Sequence, residues 1–438
     1  MSIRVHSWFP FLKYTPSQVD NHDLDIIFYV ITSLLRLFKQ KTTMKISETF
    51  NWKRLTPDNG HYFFGYYDRN PWNPSQTLHL AMKIPQMNRL PQPGELAEIG
   101  TVTADGGYVP LTTTRAWCHQ QGCMELFLKH TKNDTFIYND FDLKDKKLVA
   151  NIFEIGKGII GRYEQPIYAM SPDGHWGVSL NFGRIPRRGY SYADAPIPLN
   201  QPIPDLDDDG LFLIDLYTGE SKLLVSYRQM FDIHPVPYGL DDVYIWLNHA
   251  IFNCDSTRLL WLFRHCRNPL APQWQTYMYT VGLDGSELQC PLPQVYWNGA
   301  ISHQIWGRTP REILIDAKWR GNNADYVVFD ETKLPLQAHL ISKGFGPMGH
   351  TVFSPDGKWL LADTYPDAEQ NQHLGLVNAA TGELTKLGTF RHHKPAGYPV
   401  DVRNDLHPRW SPDGKLVTVD SIHDYNRGIY LLELTINN

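Results

Sequence analysis

The chain has 438 residues, of which 42% are hydrophobic and 13% aromatic, and its formal net charge is -5. A mildly acidic chain without a basic tract excludes nucleic acid as the expected partner. The five cysteines are an odd number with no Cys-x-x-Cys pair. This pattern excludes a dense disulfide scaffold and favours free thiols in a reducing compartment.

The N-terminal segment contains one apolar run, DIIFYVITSLLRLF, at residues 25–38. The run is too short, and too interrupted by Arg36, to predict a clear membrane span. No small-residue cleavage site follows it, which slightly favours the cytoplasm over secretion or the periplasm. A marginal membrane-surface helix is the alternative. We interpret residues 1–43 as an appendage outside the fold and residues 44–438 as one domain.

An internal repeat is the strongest signal in the chain. Nearly the same segment recurs as MSPDGHWGVSL, FSPDGKWLLAD and WSPDGKLVTVD, at residues 170–180, 353–363 and 410–420, with degenerate copies at 252–263 and 68–82. Proline fixes φ, aspartate bonds to its own backbone and glycine takes a positive φ, which together close a tight hairpin. Asp173, Asp356 and Asp413 are therefore predicted to form turns.

The repeat predicts an all-β fold, a seven-bladed β-propeller. A second strand pair follows each hairpin, and helical periodicity is absent. The predicted blades cover residues 60–117, 123–165, 166–230, 244–294, 300–342, 346–390 and 405–437. A proline-rich insertion at residues 184–209 interrupts the third blade, and insertions of this length are often functional lids.

Histidines recur at or near the start of the innermost strand in six of the seven units. They are His61, His119, His249, His303, His350 and His407. A structural hydrogen-bond network, as in propellers of the WD type, is one explanation. A functional ring is the interpretation we prefer. Three or more neutral imidazoles suit zinc, manganese or iron, and imidazoles also serve as general acids or bases, and the residues alone do not decide between these roles.

Two further groups carry chemistry suited to the same face. Arg264 ends the strand after the His249 hairpin, where its guanidinium could bind a carboxylate or form a surface ion pair. Asp363, Tyr365 and Asp367 could line a cation or sugar site, or cap a loop. No nucleophilic-serine elbow, phosphate loop or dinucleotide fingerprint is present.

Several segments resemble propeller polysaccharide lyases, chiefly the ulvan lyases and more distantly oligogalacturonate lyase. The matching segments are HYFFGYYDRNPW, AWCHQQGCM, LNHAIFNCDSTRLLWLFRH, SHQIW, GHTVFSPDGKWLLADTYPD and DLHPRWSPDG. They extend from residue 50 to the C-terminus. The resemblance implies β-elimination at a uronic acid, and an acidic oligo- or polysaccharide as the partner.

The resemblance also implies roles for individual residues. His119 matches an active-site histidine, Arg264 matches the arginine that binds the substrate carboxylate, and His249, or its neighbour Asn248, falls near the position of the family's catalytic tyrosine. Contacts to substrate are expected from His61, Tyr66, Gln120, Asn139, Asn248 and Trp306. A divalent metal, manganese, zinc or calcium, is the expected cofactor, with His303, His350 and His407 as its ligands. Asn139 stands where the ulvan lyases have a second histidine.

These observations predict a polysaccharide lyase that cleaves uronic-acid-containing glycans of the ulvan or oligouronide type. The alternative is a non-catalytic propeller that binds sugars or a protein, in which the histidines are structural. Another glycan-modifying reaction at the same face is a third option, because a fold does not determine a function.

Overall fold

In the computed structural model the chain forms seven β-sheets arranged as the blades of a ring, which confirms the predicted seven-bladed β-propeller. The structure describes residues 50–235, 243–270, 273–292, 301–317, 325–333, 337–393 and 399–434, and also the strand Met44–Lys45. Except for one short N-terminal strand that pairs parallel at the outer edge of a sheet, neighbouring strands are antiparallel. Each blade runs from an innermost strand outward, so the innermost strands surround the ring axis.

The first three blades each have four strands. Blade 1 consists of β3 (His61–Phe63), β4 (His79–Ile84), β5 (Ala97–Thr103) and β6 (Gly106–Thr114). Blade 2 consists of β7 (Leu126–Phe127), β8 (Thr135–Asp142), β9 (Lys147–Glu154) and β10 (Gly158–Tyr163). Blade 3 consists of β11 (Ala169–Met170), β12 (Trp176–Ser179), β13 (Gly210–Asp215) and β14 (Ser221–Ser226). One helix, α1 (Tyr227–Asp232), follows blade 3.

The remaining blades complete the ring. Blade 4 consists of β15 (Tyr244–Phe252), β16 (Arg258–Cys266) and β17 (Trp274–Gly282). Blade 5 consists of β18 (Ile301–Trp306), β19 (Glu312–Ala317), β20 (Asp325–Asp330) and β21 (Ala338–Lys343). Blade 6 consists of β22 (Thr351–Phe353), β23 (Trp359–Asp363), β24 (Asn371–Asn378) and β25 (Leu384–Arg391). Blade 7 consists of β26 (Arg409–Trp410), β27 (Leu416–Ser421) and β28 (Gly428–Glu433).

Two short N-terminal strands join the last two blades. β2 (Lys53–Arg54) pairs antiparallel with β28 and becomes the outer strand of blade 7, so the two ends of the domain close the ring in one sheet. β1 (Met44–Lys45) pairs parallel with β25 of blade 6. Closure of this kind removes the free edge that an open ring of blades would expose.

The predicted turns are confirmed at the three Ser-Pro-Asp-Gly segments. Ser354 Oγ bonds to Asp356 at 2.6 Å and Ser411 Oγ bonds to Asp413 at 2.6 Å. Gly357 has φ +69 and Gly414 has φ +72, the left-handed backbone that glycine adopts without a steric penalty. The insertion at 184–209 lies between β12 and β13 of blade 3, as predicted.

One backbone hydrogen bond gives all seven blades a common register. In each, a residue at the turn after the innermost strand donates its N–H across that turn, and these residues are Asn73, Leu128, Ser171, Asn253, Gly307, Ser354 and Ser411. We call the residue four places earlier the ring position. Its seven occupants are Arg69, Met124, Ile167, His249, His303, His350 and His407.

Three other expectations concern the chain outside the blades. Residues 1–43 lie outside the described residues, so their interpretation as an appendage stays a prediction. Among the described residues, no helix is long and apolar enough to cross a bilayer. All five cysteines are free thiols.

Candidate active site

The four histidines at the ring position are buried and cluster at the centre of the propeller. The ring centroids of His303 and His350 are 4.3 Å apart, and those of His350 and His407 are also 4.3 Å apart. The structure therefore brings together the three histidines that the sequence predicts as metal ligands.

Two consecutive tyrosines fill the space between these histidines. The Tyr66 ring centroid lies 4.9 Å from that of His407 and 5.2 Å from that of His249. Tyr67 lies 4.8 Å from His350. Tyr66 therefore contacts both His249 and His407, and so connects His249 with the other histidines.

The backbone at the ring position is strained in several blades. His249, His303 and His407 have φ values of +52, +51 and +45. A left-handed backbone at a non-glycine residue costs about 1 to 3 kcal/mol and persists only where the surroundings impose it. In β15 and β18 the register of pairing with the next strand shifts at this place. Each shift is a bulge that redirects the histidine from the sheet toward the axis.

Two buried carboxylates lie beside the histidines and fix the orientation of their rings. Asp363 accepts from His350 Nδ1 at 3.1 Å, and its other oxygen accepts from the backbone N–H of His407 at 3.0 Å. An oxygen of Asp316 lies 3.6 Å from His303 Nδ1. Burial and the nearby Asp363 carboxylate raise the pKa of Asp316 well above its usual range.

A divalent metal fits the donor atoms of His350, His407 and Asp405. Their ligand atoms lie within 4.8 Å of one another, and all three residues are buried. His407 Nδ1 lies 2.7 Å from the Gly65 carbonyl oxygen and must donate to it, which leaves Nε2 with a lone pair, buried and without a hydrogen-bond partner. His350 donates through Nδ1 to Asp363, which likewise directs Nε2 elsewhere. Such outer hydrogen bonds are typical of metal-binding histidines.

Burial keeps three of the imidazoles neutral. It lowers the pKa of His249 well below its usual range, and the Arg264 and Arg69 charges lower it further. Burial and the neighbouring His350 do the same to the pKa of His303, and also of His407. Neutral imidazole is the form that binds a metal or accepts a proton.

Two arginines at the centre have guanidinium nitrogens without a hydrogen-bond partner among the described residues. The Nε of Arg264 is buried without a hydrogen-bond partner, and its guanidinium lies 5.4 Å from the centroid of Trp274. All three guanidinium nitrogens of Arg69 are buried without a hydrogen-bond partner, and its Nε is 3.9 Å from Asp68. Burial lowers the pKa of Arg264 to about 10. Arg264 is half-buried and forms no ion pair with a carboxylate of the described residues, so its guanidinium is free to receive an anion.

The insertion of blade 3 reaches the same centre. The Tyr190 ring centroid is 5.6 Å from that of His249, and the Arg187 guanidinium lies 4.9 Å from the Tyr190 centroid. Arg187 also forms an ion pair with Asp401, in the loop before blade 7. The expectation that this insertion acts as a lid stays a prediction, and its contacts place it over the histidine cluster.

His119 and His61 lie in a different group. His119 Nε2 is 2.8 Å from the Arg89 carbonyl oxygen, its ring packs on Trp117, and Arg427 donates to its carbonyl oxygen at 2.8 Å. His61 Nδ1 accepts from the backbone N–H of Arg427 at 3.3 Å. Neither residue occupies the ring position of its blade. The geometry therefore gives no support to the catalytic role expected of His119 or the substrate contact expected of His61.

Three expected substrate contacts have structural partners instead. Asn139 donates to the Ile167 carbonyl oxygen and to Tyr192, and accepts from the Ile167 N–H, so it joins blades 2 and 3. Trp306 Nε1 donates to the Ile251 carbonyl oxygen at 2.9 Å, which ties blade 5 to blade 4. Gln120 donates its side-chain amide to the Arg403 carbonyl oxygen at 2.8 Å.

The Asp-Thr-Tyr-Pro-Asp segment begins at the last residue of β23. Two of its residues contact the central histidines, and a third closes a loop. Asp363 holds the histidines, and Tyr365 donates to or accepts from His303 Nε2 at 3.0 Å. Asp367 instead accepts from the Asn371 N–H at 2.8 Å and closes a loop.

Sequence reasoning missed Arg69, Arg187, Tyr190 and Asp405. Arg69 occupies the ring position of blade 1, and counting four residues back from Asn73 would have found it. Asp405 lies two residues before His407, a spacing that suits a shared metal. No local signal marks Arg187 and Tyr190, because they reach the centre from an irregular insertion.

Glu125, which follows Cys123 by two residues, is expected to make the free energy of unfolding depend on pH. It accepts from the Cys123 backbone N–H at 3.1 Å, and burial raises its pKa to about 7. The unfolded chain loses this proton near pH 4.3, roughly the usual value for glutamate, so stability falls as the pH rises from there to about 7 and is then level. Glu125→Gln is expected to gain on the order of 3 kcal/mol at about pH 8 and little at about pH 4. Urea unfolding at both pH values measures this, and an equal gain at both would contradict it.

The site thus belongs to a seven-bladed β-propeller with buried histidines at its axis and with one arginine, Arg264, that has no carboxylate partner among the described residues. An oligogalacturonate lyase in complex with manganese shares the fold, with a TM-score of 0.60 and 16% identity over 90% of this chain and 96% of that chain. An oligogalacturonate lyase from Vibrio parahaemolyticus has a TM-score of 0.53 and 15% identity over 89% and 98% of the two chains. At these identities the likeness shows the fold, and the ulvan part of the sequence resemblance gains no support from it. No family model and no curated protein matches the chain.

Proposed function

We propose that the protein is a lyase that cleaves uronic-acid-containing oligosaccharides of the pectin type by β-elimination. One observation carries the proposal: Arg264, which has no carboxylate partner among the described residues, faces the same centre as His249, an imidazole that burial keeps neutral. A receptor for a carboxylate beside a proton acceptor is the minimum that this reaction requires.

The first requirement is to make the proton alpha to the uronate carboxylate acidic. Arg264 is suited to pair with that carboxylate, because its planar fork matches two oxygens at once. Neutralising the carboxylate stabilises the negative charge that develops when the alpha proton leaves. The Arg264 Nε is buried, and its reduced contact with water strengthens this effect.

The second requirement is transfer of two protons. His249 accepts the alpha proton, the electron pair forms the new double bond, and the glycosidic carbon–oxygen bond breaks. Tyr66 is placed to protonate the departing oxygen, since its ring lies 5.2 Å from that of His249. Burial raises the pKa of Tyr66 well above its usual range, so the phenol holds a proton to donate.

The remaining histidines supply a place for a divalent metal. His350, His407 and Asp405 would hold it, and Asp363 would keep the two histidines oriented. When bound there, a divalent cation adds positive charge that polarises substrate oxygens. The manganese in the first structural neighbour supports this assignment.

The proposal is tested with purified protein and defined oligogalacturonides, with and without manganese. The expected result is an unsaturated uronate product, detected by its ultraviolet absorbance and by mass spectrometry. Ulvan and glucuronan serve as comparison substrates. A hydrolysed, saturated product would overturn the proposal, as would the absence of any unsaturated product from all three substrates with metal supplied.

A further inference from the structure

His249 is held in a left-handed backbone by a chain of buried side chains from two other blades. Its φ is +52, and the pairing of β15 with β16 shifts register between Asn248 and Ile251. A strained residue of this kind needs fixed partners on both sides. Asn248 provides one of them, because its Oδ1 accepts from the His249 backbone N–H at 2.8 Å.

The Asn248 amide is itself fixed by two residues from elsewhere in the ring. Tyr168, in blade 3, donates its hydroxyl to Asn248 Oδ1 at 2.9 Å. Gln121, in the loop before blade 2, donates its amide to the Tyr168 hydroxyl at 2.8 Å. All three side chains are buried, with exposed fractions of 1% or less.

The hydrogen bonds of this chain have a preferred direction. Gln121 donates its amide to the Tyr168 oxygen at 2.8 Å and holds its own oxygen 3.2 Å from the same hydroxyl, so the shorter acceptor contact, 2.9 Å to Asn248, is where we place the hydroxyl hydrogen. That hydrogen in turn turns the Asn248 oxygen, rather than its nitrogen, toward Tyr168 and the His249 N–H. A reversed Asn248 amide would present a donor to the His249 N–H, and a hydroxyl hydrogen turned toward the Gln121 nitrogen would also oppose two donors.

We propose that Tyr168 is a positioning residue for His249, and that Gln121 sets the direction of its hydroxyl. The inference rests on the proposed function in one respect, that His249 is the group that accepts the substrate proton. It also gives the Trp-Cys-His-Gln-Gln-Gly segment a role that does not require His119 to touch substrate. Tyr168 acts through Asn248 and the backbone of His249, not on the substrate.

The chain offers a matched control for the loss of one buried hydroxyl. Phe182 stacks on Tyr168 at 5.4 Å and on Tyr192 at 5.0 Å, so the two tyrosines lie on either side of one ring. Both are buried, but the Tyr192 hydroxyl accepts from Asn139 at 2.9 Å and does not belong to the chain that leads to His249. Tyr168→Phe and Tyr192→Phe therefore remove the same group from the same stack.

The test compares these two variants in lyase assays and in nuclear magnetic resonance spectra of protein labelled at histidine nitrogens. Tyr168→Phe is expected to lower kcat by about 10- to 100-fold with KM within about twofold, since misplacement of a reacting group acts mainly on the chemical step. It is also expected to shift the His249 ring resonances, which the loss of those signals in His249→Gln identifies. Tyr192→Phe is expected to leave kcat and those resonances as they are, with a similar fall in melting temperature.

A second variant covers the case in which Tyr168→Phe does not fold. Gln121→Glu keeps the size of the side chain but accepts the Tyr168 hydroxyl hydrogen, which takes it from Asn248. It is expected to change kcat and the His249 resonances in the same way. Equal effects in Tyr168→Phe and Tyr192→Phe, or unmoved His249 resonances in Tyr168→Phe or Gln121→Glu, would overturn the proposal. If the unmodified protein has no lyase activity, the proposed function fails and the resonances alone decide the positioning role.

Discussion

Replacing Arg264 with methionine is expected to lower kcat/KM for an oligogalacturonide by about 100- to 1,000-fold, while the free energy of unfolding stays level or rises by up to about 2 kcal/mol. The activity falls because the substrate carboxylate loses its charged partner. Stability rises because the Arg264 guanidinium, which has no carboxylate partner among the described residues, destabilises the fold until a ligand pairs with it. Initial rates of unsaturated product and urea unfolding curves measure the two quantities.

Arg258 is the matched control, because it lies on the same strand, β16, and has the carboxylate partners that Arg264 lacks. Its Nε is 2.6 Å from Glu331 and one of its terminal nitrogens is 2.9 Å from Glu287. Arg258→Met is expected to lose about 3 to 5 kcal/mol of stability, since it leaves the fully buried Glu331 carboxylate without that partner, and to keep kcat in the protein that remains folded. A comparable loss of stability in both variants would contradict the role of Arg264 as a substrate receptor.

The Arg264→Lys variant distinguishes the effect of the positive charge from that of the planar guanidinium. It keeps the positive charge but presents a single ammonium group in place of the planar fork. Arg264→Lys is therefore expected to recover part of the activity, about tenfold above the methionine variant. Full recovery would mean that charge alone is needed, and no recovery would mean that the two-oxygen geometry is essential.

The fold could be predicted from the sequence because its turns are encoded locally. Pro, Asp and Gly specify three of the hairpins by their own backbone preferences, and these hairpins with their degenerate copies set the repeat length from which seven units can be counted. Ring closure could not be predicted, because β2 is two polar residues, Lys53 and Arg54, with no alternation to mark a strand. Its pairing with β28 depends on the arrangement of the whole ring.

The sequence predicts only part of the site. The predicted residues that the structure brings together are those at the ring position of their blades. His303, His350 and His407 lie at a constant distance from the turn that follows them, which places them together, although only the units of His350 and His407 carry the Ser-Pro-Asp-Gly segment. Arg69 was missed because blade 1 has a degenerate turn and a different residue type at the ring position. His119 and His61 entered the prediction because they are near the start of a strand in sequence, although the structure places them beside Arg427.

Manganese is expected to bind the protein at a ratio of one and to stabilise it, by about 2.7 kcal/mol when the free metal is at 100 times its Kd. His407→Ala is expected to weaken this binding by at least about 100-fold, since the loss of an outer partner alone costs about 10- to 100-fold at such sites. The reason is that His407 Nε2 has a lone pair, is buried and has no other partner. Metal analysis of the purified protein and calorimetric titration measure the ratio and the affinity.

Metal binding by variants of His303 and His175 shows whether the loss in His407→Ala is specific to the metal site or follows from the removal of any histidine. His303 Nε2 already has a partner in Tyr365 at 3.0 Å, and Asp405 takes its place in the cluster of close ligand atoms. His303→Ala is therefore expected to keep one bound metal, with an affinity reduced by about tenfold as for an outer partner. His175→Ala removes a partly exposed histidine far from the ring position and should change nothing. Equal binding by His407→Ala and the unmodified protein would rule out His407 as a ligand, and full loss in His303→Ala with retention in Asp405→Asn would return the site to the three histidines that the sequence predicts.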